Sequence, residues 1–191
     1  VLAVVAPDGS LDIVPYFWTP HDRMTQKETT DKVPYPLWVK QGHMEATPGT
    51  AIRKDAIVRR IAEIIGRFEV KEIAYDRHRI EDLIPFFDDE GLDRDLLVPF
   101  GQGFVGFGPA VDALETAVLN REIRHPGNPC LTWNIANSVV VQDAAGNRKL
   151  DKSKSTGRID GAVAMAMAVR QAMVGREAAP SPYESRGLLV F

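Results

Sequence analysis

The stretch Glu72–Pro99, EIAYDRHRIEDLIPFFDDEGLDRDLLVP, decides the fold class. Glu72–Tyr75 reads as a strand that stops at Asp76, Ile80–Phe87 as a helix kinked or interrupted by Pro85, and Leu96–Pro99 as the next strand. A strand, a helix and a strand at this spacing form a βαβ unit, whose strands run parallel. Downstream, Ala110–Leu119 reads as a further helix. Upstream, Val1–Ala6 and Leu11–Trp18 are short β-rich runs split by Pro7-Asp8-Gly9-Ser10, and Asp-Gly between such runs signals a hairpin. A hairpin ahead of βαβ units predicts an α/β domain with a mixed sheet flanked by helices, unlike an all-parallel dinucleotide-binding sheet.

The rest of the chain is placed around that unit. Thr19–Tyr35 is polar, carries Pro20 and Pro34, and is expected to cross the surface before a short segment near Leu37–Gln41. After a turn at Thr47-Pro48-Gly49, Ile57, Ile61, Ile64, Ile65 and Phe68 recur at helical spacing. The basic residues interspersed there (Arg53, Lys54, Arg59, Arg60 and Arg67) read as a solvated helix face. Ser138–Gln142 is extended, Asp143–Asn147 can turn the chain, and Arg148–Lys154 would return as the basic arm of a second hairpin. Gly161–Val174 is apolar nearly all round, which places this last helix against the sheet. Arg176–Phe191 is a polar tail with an apolar tip, Leu188–Phe191.

Composition narrows the class. At 191 residues, 45% hydrophobic and 26% charged, the chain can bury a substantial core and lacks the signature of disorder. No apolar run approaches the roughly 18 residues of a membrane span, so none is expected. Val1–Val5 already reads as the middle of a strand without a signal-peptide pattern, and the chain is expected to be part of a longer protein. Cys130 is the sole cysteine, which excludes an internal disulfide, and His21, His43, His78 and His125 are scattered, which argues against structural zinc. A net charge of −3 provides no global attraction to a polyanion, so binding to nucleic acid would need a local basic surface.

Candidate chemistry lies in two aspartates. Asp76 closes a strand, where open α/β sheets place their ligand crevice; it could equally cap the following helix. Asp160 opens the last helix, where an acid also complements the helix dipole. Together a strand-end and a helix-start carboxylate can converge on one crevice, and carboxylate oxygens are the ligands that Mg²⁺ and Mn²⁺ prefer. Beside Asp160, the residues Arg148, Lys149, Lys152, Lys154 and Arg158 form the densest basic run, interleaved with small donors Ser153, Ser155 and Thr156. That composition suits phosphate contacts, although a solvated hairpin would look the same. Gly101–Gly106, GQGFVG, satisfies G-x-G-x-x-G literally, but the expected downstream acid is replaced by Ile123–Asn128, IRHPGN. It is read as a glycine turn that lets backbones approach. Neither G-x-S-x-G nor a Walker-type loop occurs in the sequence.

Five stretches together resemble the large terminase subunit of tailed bacteriophages: Val14–Trp18 (VPYFW), Ile73–Arg77 (IAYDR), Pro99–Phe104 (PFGQGF), His125–Asn137 (HPGNPCLTWNIAN) and Asp151–Gly161 (DKSKSTGRIDG). The resemblance implies an RNase H-like nuclease domain over residues 1–175 with an added basic β-hairpin, a C-terminal tail over 176–191, and an upstream packaging ATPase outside this chain. It implies a double-stranded DNA endonuclease that uses two Mg²⁺ or Mn²⁺ ions and cuts concatemeric viral DNA in the cytoplasm of the infected bacterium. Asp76 matches the acid after the central strand and Asp160 the acid opening the last helix. The family's first acid lies on a strand ahead of Val1, so a complete metal site is expected only in the longer protein. Implied partners are the portal protein, the small terminase subunit and other copies in the motor, with no membrane. Two other readings are a portal-docking module, motivated by Leu188–Phe191, and another RNase H-like nuclease such as a junction resolvase.

Overall fold

Leu11 and Ile13 are buried while Asp12 and Val14 are half-buried, the period of two that a strand with one core face must show. In the computed structural model, which describes residues 1–78 and 80–178 apart from the side chains of 176–178, β1 (Leu2–Val5) and β2 (Leu11–Val14) form the expected antiparallel hairpin. Asp8 accepts from the Ser10 N–H and hydroxyl in the turn, and Gly9 takes a left-handed φ of 81°. β3 (Trp18–Pro20) pairs parallel with β4 (Glu45–Thr47). Between them the expected surface crossing instead contains α1 (Met24–Asp31), followed by α2 (Tyr35–Lys40). The fully exposed and half-buried residues of α1 give no apolar stripe, and Lys32 ends it with a φ of 55°.

The helix α3 (Lys54–Ile65) stops before Gly66, so Phe68 falls outside it. Its cations are neutralised locally, Arg53 by Asp55, Lys54 by Asp82, and Arg60 by Glu45 and Glu63. They form the solvated face that their spacing suggests. β5 (Ile73–Asp76) and β6 (Leu97–Phe100) are parallel, with Asp76 opposite Phe100. The helix between them is interrupted as expected: a 3-10 turn at Ile80–Asp82 precedes α4 (Ile84–Asp89). Pro85 sits in the first turn of α4, where its missing N–H costs nothing.

α5 (Phe104–Leu119) begins six residues before its expected start at Ala110. The glycine run is therefore the entry of this helix. A Cβ on Gly106 would lie 3.0 Å from the Gly101 Cα, and one on Gly108 would lie 3.4 Å from the Arg148 carbonyl oxygen. Backbone approach, not nucleotide recognition, explains these glycines. β7 (Ile123–Arg124) adds parallel to β2, so the sheet β1-β2-β7 is mixed. α6 (Pro129–Asn137) follows, capped by Asn128, whose Oδ1 accepts from the Cys130 and Leu131 N–H groups at 2.9 and 3.1 Å.

β8 (Val140–Gln142) and β9 (Arg148–Leu150) form the second hairpin. Its returning arm ends at Leu150 instead of Lys154, because Asp151 accepts from the N–H and hydroxyl of Ser153 and turns the chain. Lys152 and Lys154 thus belong to the loop after the hairpin. α7 (Asp160–Ala178) starts at the expected residue and continues past the expected domain end at residue 175. The tail from 179, including the Leu188–Phe191 tip, lies outside the described residues.

Among the described residues β1-β2-β7 and β5-β6 are not hydrogen-bonded to each other. α7 ties them together by presenting two faces. Met165 and Val169 join Leu11, Ile13 and Leu131 in one core, while Ala166 and Met167 join Phe100, Phe107 and Val111 in another. A third cluster joins Tyr35, Trp38, Met44 and Cys130. No described helix is long and apolar enough to cross a membrane.

Candidate functional site

Asp76 owes its position to strand β5, which it ends, and Asp160 to helix α7, which it begins. Gln171 on α7 hydrogen-bonds Glu72, the residue before β5, and Met167, one turn earlier, meets Gln102, two residues after the Phe100 that faces Asp76; these two points run the helix antiparallel to the strand. Going back eleven residues along α7 covers about 16 Å, and advancing four along an extended chain from Glu72 covers about 13 Å. Both aspartates therefore stand at the same end of the domain. Val163, one turn from Asp160, and Ala74, two residues before Asp76, pack against the same Phe100–Phe107 core.

The start of α7 is pinned by two residues that local sequence patterns did not single out. Asn134 on α6 is 3% exposed; its Oδ1 accepts from the Gly161 N–H at 2.8 Å and its Nδ2 donates to the Cys130 carbonyl at 2.8 Å. Gly161 leaves room for this contact, since a Cβ there would sit 2.6 Å from the Phe17 ring and 3.2 Å from Asn134 Cγ. Asn134→Leu should remove the acceptor for a buried N–H and lower unfolding free energy by about 2 kcal/mol. A urea titration reads this directly; an unchanged midpoint would show that the bond does not hold the helix start.

The two carboxylates have different neighbours. Asp76 is exposed and accepts from the His78 N–H at 3.0 Å. The carboxylate of Asp160 meets the Lys152 ammonium at 2.6 Å, each side chain being 66% exposed. Asp160 also borders a cavity of about 350 Å³ lined by Tyr16, Trp18, Lys27, Tyr35, Trp133 and Arg158, among others. Asp76 is not part of that lining. No group of three or more His, Cys, Asp or Glu side chains among the described residues is placed to hold an ion.

The basic run is not a continuous open cationic surface. Arg148 is turned onto α5, where Asp112 and Glu115 hold its guanidinium, and these contacts raise its pKa further. Lys149 lies over the Phe104 ring with its ammonium 4.8 Å from the centroid. Arg158 binds Asp31, which also accepts from the Tyr35 hydroxyl at 2.7 Å. Burial pushes the Asp31 carboxyl up, but the hydrogen bonds from Arg158 and Tyr35 outweigh it and leave the pKa below the usual value. Lys152 faces Asp160, and Lys154 is exposed. Sequence spacing could not show this dispersal, because Arg148 and Arg158 find partners 36 and 127 residues away. It also missed Lys27, which α1 carries to the cavity beside Asp160.

This mixed-sheet α/β domain has the RNase H-like fold of its structural neighbours. The comparisons name the family. The profile described as "Terminase large subunit, endonuclease domain" matches residues 4–176, and the chain belongs to that family. The chain is 50% identical over 169 residues to the terminase large subunit of Enterobacteria phage HK97, covering 88% of this chain and 33% of that protein. It is 28% identical to protein YmfN of Escherichia coli K12, covering 85% of this chain and 36% of YmfN. The chain thus spans about a third of the length of these curated relatives. The crystal structure of the HK97 large terminase superimposes with a TM-score of 0.83 at 50% identity, over 88% of this chain and 35% of that one. The large terminase nuclease of thermophilic phage G20c shares the fold, with a TM-score of 0.51 at 14% identity over 64% of each chain.

Proposed function

We propose that this chain is the divalent-metal-dependent endonuclease unit of a phage packaging terminase, which cuts double-stranded concatemeric DNA in the infected bacterium. The observation that carries the reading is the family match over residues 4–176 combined with the exposed carboxylates of Asp76 and Asp160 at one end of the fold. The match also favours this reading over a junction resolvase.

The donor chemistry suits Mg²⁺ or Mn²⁺. These ions are held by one or two carboxylates, with water and substrate phosphate completing the shell. The exposed Asp160 carboxylate, already met by the Lys152 ammonium, is consistent with this role. Asp76 and Asp160 would hold the metal, with a further carboxylate from a strand upstream of Val1. The metal would supply activation of water and stabilisation of the leaving oxygen at the scissile phosphodiester. The protein's own contribution is positional. Asn134 and Gly161 fix the start of α7, the Phe100–Phe107 core fixes the end of β5, and Lys152 with its neighbours offers positive charge to phosphate. Arg148, Lys149, Lys154 and Arg158 are part of the proposed DNA contact, the two arginines only after exchanging a carboxylate partner for phosphate.

The upstream ATPase, the portal, the small subunit and the motor oligomer belong to the same proposal. The test uses the protein extended upstream to the length of its relatives. Supercoiled plasmid is expected to be nicked in Mn²⁺ and to remain intact in EDTA. Intact plasmid with folded protein in Mn²⁺, or equal cutting in EDTA, overturns the reading.

A further inference from the structure

Three cations from different parts of the chain lie at the Asp160 carboxylate or along the cavity it borders. Lys152 comes from the loop after β9 and touches the carboxylate. Lys27, on α1, and Arg158 line the same cavity as Asp160. Lys27 is half-buried and feels the charges of Arg158, Asp31 and Asp160; its pKa is lowered, first by burial and then by the Arg158 charge, against the pull of the two carboxylates. Trp18 lines this cavity too, and its Nε1–H is buried with no hydrogen-bond partner among the described residues. Two carboxylates, Asp31 on Arg158 and Asp160 on Lys152, face these three cations, which leaves one positive charge in excess. That excess attracts an anion and repels a second cation.

We infer that Lys27, Lys152 and Arg158 form a phosphate seat over Asp160, and that this seat makes DNA and metal bind cooperatively. Without DNA, Lys152 competes with the metal for Asp160, and Lys27 and Arg158 disfavour a further cation. When a backbone phosphate enters, the lysines turn to it and Asp160 is released, so that its carboxylate would be available to hold a metal beside the phosphate. The linkage is reciprocal: whatever factor DNA adds to metal affinity, metal adds to DNA affinity. Lys27 and Lys152 are positioning residues in this scheme, which rests on the metal-site reading above.

The experiment measures Mn²⁺ binding by electron paramagnetic resonance, using the extended protein with and without a short phosphorothioate duplex. The parent is expected to bind Mn²⁺ about tenfold more tightly with the duplex, within the usual range of coupling between sites. Lys27→Gln combined with Lys152→Gln should bind Mn²⁺ a few-fold more tightly without DNA, as loss of an exposed ion pair allows. The same variant should show less than about twofold gain on adding the duplex. Parent-like coupling in that variant overturns the phosphate seat and leaves the metal site standing. If Asp76→Asn with Asp160→Asn leaves the parent's Mn²⁺ binding unchanged, the metal site itself is wrong. Parent binding that ignores the duplex overturns the coupling outright.

Discussion

Replacing Asp160 by alanine in the extended protein should lower the Mn²⁺-dependent nicking rate by on the order of a hundredfold or more, with little change in stability. The two halves of this expectation have different causes. A carboxylate that holds a catalytic ion contributes to the transition state, where the loss of one well-placed electrostatic group costs about 10²–10³ in rate. In the folded state the contact of Asp160 with Lys152 is exposed, and exposed ion pairs contribute little. The pair of measurements, initial nicking rate and urea midpoint, therefore separates a metal ligand from a structural helix-start acid. A variant that cuts as fast as its parent removes Asp160 from the site. A variant that unfolds much more readily makes the helix dipole its main role.

Phe107→Ala is expected to show the reverse pattern in its origin, a loss of about 3–5 kcal/mol of unfolding free energy. Phe107 is 2% exposed and meets Phe100 edge to face, with ring centroids 5.9 Å apart and planes at 77°. Phe100 is the residue opposite Asp76 in the β5–β6 pair, and Ala166 and Met167 of α7 complete the cluster. The cavity left by the ring would loosen the contact that sets the strand-end aspartate relative to the helix. Since small domains are stable by only about 5–15 kcal/mol, much of the margin would be lost. Urea denaturation checks the magnitude, and a change below about 1 kcal/mol would show that the core collapses around the gap.

The legibility of this fold differed from element to element for physical reasons. β5 could be read because Ile73, Ala74 and Tyr75 form an apolar run closed by a charge, and the second hairpin because DAAGN can turn the chain back. In that turn Asp143 accepts from the N–H groups of Ala145 and Asn147, and Gly146 takes a φ of 87°. α1 left no such trace. Its anchors are Met24, packed beside the Tyr35–Trp38 cluster, and Asp31, which binds Tyr35 and Arg158, and neither has a period. α6 did carry a signal, Asn128 followed by Pro129, the capping residue and first-turn proline of a helix. Asp76 and Asp160 were visible as punctuation between elements. Their surroundings were not, because Lys27, Asn134 and Asp31 reach them or their neighbours from distant parts of the chain.

Cys130 has a practical consequence. It is 2% exposed, and burial pushes its thiol pKa up to about 12. Only the thiolate attacks alkylating and maleimide reagents, so the native protein should be silent toward them. A cysteine introduced at an exposed position, such as Ala144 in the turn of the second hairpin, would then be the single reactive handle. Fluorescent or spin labels could be attached there without first removing the natural cysteine.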